Sequence, residues 1–144
     1  MTIILILLMY SCKVEQPHSF VIKNEALNEI LYNFIMTLDR KESKFVKLIF
    51  EKPASGDLKV LILHELNPDN IYSCTSYFGS SEIEGFNILL YGDSINLASI
   101  ELVELFQPDD CPYVSTKNEI PFFVENKSRE YMYKNKEFEL ILAK

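Results

Sequence analysis

Between Asn24 and Leu38 the chain carries one apolar stripe at helical spacing. Leu27, Ile30, Leu31, Phe34, Ile35 and Leu38 fall at i, i+3, i+4, i+7, i+8 and i+11, the recurrence of a single α-helical face. Asn28, Glu29, Asn33 and Asp39 lie largely off that face. Asn24 is a residue type that accepts a hydrogen bond from the first unpaired amides, so it is the expected N-cap of a helix starting at Glu25. A helix this short is marginal alone in water, because its nucleation is costly. Its stripe must cover a second layer, and the rest of the chain has to supply that layer.

The downstream sequence reads as strands. Residues 45–51 (FVKLIFE) and 58–63 (LKVLIL) are rich in β-branched and aromatic residues. They flank a turn cluster at 53–57, which predicts a hairpin. Residues 67–70 (NPDN) form the next break. A third strand is expected over 71–78, ended by the turn Gly79-Ser80-Ser81, and a fourth over 86–91 (FNILLY), stopped at Gly92-Asp93. Residues 94–97 read as loop, 100–106 as strand or short helix, and 108–112 as a turn-rich break. Pro121 confines 122–124 to an edge or a loop. Residues 130–133 and 137–142 surround Lys134-Asn135-Lys136 and predict a terminal hairpin, with Phe138, Leu140 and Leu142 on a buried face and Glu137 and Glu139 on a wet one. Such short connections argue for antiparallel neighbours rather than crossovers. The expected fold is α+β: one N-terminal helix packed on a curved antiparallel sheet of about five to seven strands. Residues 24–144 form a single domain on this reading.

The first twelve residues are of another kind. Residues 3–9 are an unbroken apolar run, far short of the roughly 20 residues that span a bilayer and near the lower end, about 7 residues, of a signal-peptide apolar region. Ser11 and Cys12 follow, and Lys13 ends the apolar stretch. This resembles the lipobox of bacterial lipoproteins, with Met9 and Tyr10 standing where that family usually has Leu and a small residue. The resemblance covers residues 1–12. It implies a signal peptide removed ahead of Cys12, a lipid such as palmitate on Cys12, and a cell-envelope protein anchored to the membrane, facing the periplasm or the surface. Residues 13–23, polar at first and containing Pro17, would then be a tether. The alternative for residues 3–9 is a buried N-terminal strand.

With Cys12 lipidated, Cys74 and Cys111 remain, and an even pair in an exported protein suggests a disulfide. It would close a loop of about 37 residues and contribute roughly 3–4 kcal/mol on the chain-entropy estimate. The alternative is two buried thiols. No metal site is expected, since His18 and His64 are the only histidines and no Cys-x-x-Cys spacing occurs.

The formal charge of −7 arises wholly after Cys12. It disfavours a phosphate backbone as partner, so nucleic acid is excluded. The four glycines, at 56, 79, 85 and 92, form no phosphate-cradling loop, and Gly79-Ser80-Ser81 lacks the second glycine of a hydrolase elbow. His64 ends an apolar strand, where a hydrogen-bonded structural histidine is expected. Asp109-Asp110 reads as a turn, and neither it nor Glu82/Glu84 shows the desolvated environment that acid–base work requires. No cofactor is expected. Tyr131 and Tyr133 share a parity and so one face of a strand, where they could form a recognition surface or pack the core. The leading expectation is a non-enzymatic envelope lipoprotein that binds a protein or surface component. The alternative is a small acidic immunity-type protein that blocks a toxin.

Overall fold

The structure is a computed structural model and describes residues 18–52, 56–66, 77–92, 104–108 and 127–144. In chain order the elements are β1 (His18–Ile22), α1 (Glu25–Ile35), β2 (Phe45–Glu51), β3 (Leu58–Glu65), β4 (Tyr77–Ile83), β5 (Phe86–Tyr91), β6 (Phe106–Pro108), β7 (Ser128–Lys134) and β8 (Glu137–Ala143). The eight strands form one curled sheet, ordered β6-β1-β4-β5-β2-β3-β7-β8. The α+β class holds.

The helix begins where its cap residue dictates. The Asn24 side chain accepts the Leu27 amide at 2.9 Å, which satisfies one of the unpaired donors of the first turn. α1 ends at Ile35, and tighter turns carry the stripe on: Thr37 N donates to Phe34 O and Leu38 N to Ile35 O, both at 3.0 Å. Leu27, Leu31, Phe34, Ile35 and Leu38 bury against Val46, Leu48 and Phe50 of β2, Val60 and Ile62 of β3, and Ile88 and Leu90 of β5. This is the second layer that the stripe required.

Two hairpins have two-residue loops with positive φ at both positions, Glu84 (51°) with Gly85 (78°) and Asn135 (52°) with Lys136 (67°). That geometry matches the right-handed twist of the flanking strands. The β2–β3 and β7–β8 pairs are antiparallel hairpins, as their sequences predict.

Among the described residues the sheet departs from the expected pattern in several ways. It has eight strands rather than five to seven, and it is mixed: β1–β4 and β2–β5 run parallel. The local connections do preclude crossovers between sequence neighbours. Parallel pairs arise instead between strands far apart in sequence, where connection length is no obstacle. The end of the expected tether, His18–Ile22, is itself β1. Gly79-Ser80-Ser81 lies within β4 and does not end a strand, because Ser80 and Ser81 pair with Leu89 and Ile88.

β8 also differs. It is an edge strand, and a register shift opposite Glu130 and Tyr131 breaks its alternation. Leu140, Ile141 and Leu142 are each about half exposed, so β8 has no buried face. Of the expected buried side chains only Phe138 is partly covered, against Tyr131 and Tyr133.

Candidate functional site

The most distinctive local feature is a split in the sheet. β1 and β4 pair only at His18↔Gly79 and Ser19↔Ser80. Beyond Ser19, β1 pairs with β6 instead, through Phe20↔Pro108, Val21↔Gln107 and Ile22↔Phe106. A cleft of about 470 Å³ opens where the β1–β4 ladder stops, lined by Ser19–Ile22, Asn28, Ser80–Ile83 and Asn87.

Ladder geometry fixes which backbone groups face this cleft. Ile83 and Phe86 flank a two-residue loop and therefore exchange both hydrogen bonds, as do Ser81 and Ile88 two residues on. Glu82 then directs its N–H and C=O away from β5, toward β1. The neighbouring strand agrees: Asn87, opposite Glu82, turns its amide the other way and donates to Lys44 O of the segment entering β2 at 2.8 Å. On the other lip, Lys23 N donates to Leu105 O at 2.9 Å. That makes Val21 and Gln107 the next hydrogen-bonded pair, and Ile22 directs its backbone groups away from β6, toward the cleft. Among the described residues, neither Ile22 nor Glu82 has a ladder partner on the cleft side. The same alternation places the N–H-less nitrogen of Pro108 on the outer edge, where proline breaks no pairing.

The cleft side chains are hydroxyls and carboxamides, Ser19, Ser80, Ser81, Asn28 and Asn87, with one carboxylate, Glu82. Val21, half exposed, adds an apolar contact. Among these lining residues the serines have no imidazole or amine beside them to act as base. The set suits hydrogen-bonded recognition with a single negative charge.

The sheet face away from α1 carries a buried ion pair. Lys47 Nζ and Glu65 Oε2 lie 2.7 Å apart with side chains only 7% and 5% exposed. Lys47 also sits over the Tyr91 ring, 5.5 Å from its centroid, and Tyr91 packs on Tyr77 at 5.4 Å. Register explains the grouping: Ser19, Ser80, Leu89, Lys47 and Leu63 form one cross-strand row on this face. The ion pair thus lies on the same sheet face as Ser19 and Ser80, two strands from Ser80.

His64 is buried, and its Nε2 donates to Ser43 O at 2.7 Å, as expected of a histidine ending an apolar strand. A donor on Nε2 leaves Nδ1 facing Glu42 Oε2 at 3.8 Å. At the far side of the sheet, Lys59 Nζ meets Glu130 Oε1 at 2.7 Å. That hydrogen bond and the Glu130 charge raise the Lys59 pKa above its ordinary 10.5.

Of the residues singled out by sequence, Cys12, Cys74 and Cys111 lie outside the described residues, as do Asp109 and Asp110. Tyr131 and Tyr133 do share one face, but it is the core face, and each is only 6% exposed. Both belong to the buried core cluster, with Phe138 of β8 packed against their rings, so they pack the core instead of presenting an exposed surface. Glu84 sits in a turn, 3.9 Å from Arg40, and Glu82 is a cleft residue. The Lys47–Glu65 pair was missed. Its signal is that 45–50 and 86–91 are nearly continuous apolar runs, the pattern of strands covered on both faces, with one lysine in their midst. Nothing in the sequence marks the cleft.

Among the described residues no group of His, Cys, Asp or Glu is placed to hold a metal, and no helix is long and apolar enough to cross a membrane. No family model, curated protein or solved structure matches the chain.

Proposed function

We propose that this chain is an envelope lipoprotein, anchored through acylated Cys12, whose α+β domain is a non-enzymatic binding module. The observation that carries the binding half is the cleft between β1 and β4, which presents two backbone edges and neutral polar side chains. The anchoring half is supported by the apolar run at 3–9, Ser11 and Cys12. A lipid at Cys12 would place β1, and with it one lip of the cleft, six residues from the membrane attachment. The net charge of −7 favours a second reading, a protective protein that blocks a basic toxin. Strongly salt-dependent binding to a basic protein would select that reading.

The anchor is tested by expression in a bacterium that processes lipoproteins, followed by fractionation and intact-mass measurement beside Cys12→Ala. The proposal predicts a membrane-bound product starting at Cys12 with added acyl mass, and a variant that is neither processed nor acylated. An unprocessed soluble chain retaining Met1 would overturn it.

A further inference from the structure

A strand that pairs on one side and stops short on the other leaves amide donors and carbonyl acceptors that bind water or another backbone. The β1–β4 cleft has two such lips facing each other. Ile22 supplies the next rung of β1 and Glu82 the next rung of β4, and the ladder that would join them ends one step earlier, at Ser19↔Ser80.

We infer that this cleft receives an extended segment of another protein, added as a strand between β1 and β4, with a Lys or Arg of that segment on Glu82. The inference rests on the binding-module reading and gives it a ligand class. Three observations carry it. The first is the pair of backbone lips: a ligand matching one N–H and one C=O on each side, at Ile22 and Glu82, is itself an extended backbone. The second is size. About three residues of extended chain, roughly 10 Å, span lips of this length, and 470 Å³ falls within the range of about 300–1,000 Å³ usual for binding clefts. The third is charge: Glu82 is the one charged residue among the lining residues, in a chain of net charge −7. Val21 and Ile83 give the segment apolar contact, and Ser81, Asn28 and Asn87 supply side-chain hydrogen bonds.

The probe is a panel of end-capped, fluorescently labelled pentapeptides of alternating Thr and Val with a single Lys at the second or fourth place. Each is titrated by anisotropy against the full chain in detergent, beside a form N-methylated at alternate amides and a form with Glu in place of Lys. Saturable binding is expected, weakened about tenfold or more by N-methylation, since each lost backbone bond leaves its partner in the complex unpaired. Glu82→Gln, a change at an exposed side chain, is expected to abolish the preference for the Lys peptide over the Glu peptide. Binding that ignores N-methylation would overturn strand addition while leaving the binding module standing. Absence of saturable binding across the panel, or a charge preference unmoved by Glu82→Gln, would overturn the inference. A chain that is dimeric and binds peptide only on dilution would make a second copy the occupant, and would overturn it too. Failure of the anchor is read separately, in the mass of the membrane fraction.

Discussion

At the scale of single residues, the Lys47–Glu65 pair is the most consequential contact. Both side chains are nearly inaccessible, so removing one takes from the other an opposite charge at hydrogen-bond distance in a low-dielectric setting. Lys47→Met is therefore expected to destabilise by about 3–5 kcal/mol, and the double change Lys47→Met with Glu65→Leu to recover most of that loss. Urea midpoints of the two single variants and the double variant measure this. A double variant no more stable than the singles would show that the pair is not the dominant interaction of either side chain. Lys59 behaves differently because it is partly solvated. Its pKa is raised by Glu130, so the stability contributed by this pair is fully present below 10.5 and is lost as pH rises through the higher folded value. Glu130→Gln is expected to return Lys59 toward its ordinary titration, as followed by NMR of its side chain. Salt weakens this contact far more than the buried one.

At the scale of elements, legibility followed local physics. α1 was readable because its cap and its stripe are both local signals, and structure and sequence agree on Asn24 and Glu25. Asn24→Ala is expected to cost about 1 kcal/mol, and Asn24→Ser almost nothing, since a hydroxyl can accept the same amide; thermal or urea unfolding measures both. The hairpins were readable because short connections leave one solution. β4 was misread for a physical reason. Gly79, Ser80 and Ser81 are turn formers by propensity, yet pairing with β5 on one side and, at Gly79 and Ser80, with β1 on the other holds them extended; strand propensity yields to such context. β8 was misread because alternation predicts a buried face only where something lies over it, and an edge strand with a register shift lacks that cover.

At the scale of the whole molecule, the order of strands could not be read at all. β2 lies beside β5, and β1 beside β4 and β6. Those neighbours are set by which faces bury together, a property of the assembled sheet. The consequence is a core on the α1 side with buried residues from β1, β2, β3, β5, β6 and β7, and a second buried face holding the Lys47–Glu65 pair. The split between β1 and β4 belongs to the same assembly: β1 pairs with β4 at His18 and Ser19 and with β6 from Phe20 to Ile22.

That split is the central claim, and amide hydrogen exchange of the full chain tests it most directly. The ladder predicts alternation along each lip: slow exchange at Ser81 and Ile83, which donate to β5, and at Val21, which donates to β6, with fast exchange at Glu82 and Ile22. Uniform protection across residues 20–22 and 81–83 would mean that the β1–β4 ladder is closed, and that no cleft exists for a ligand to enter.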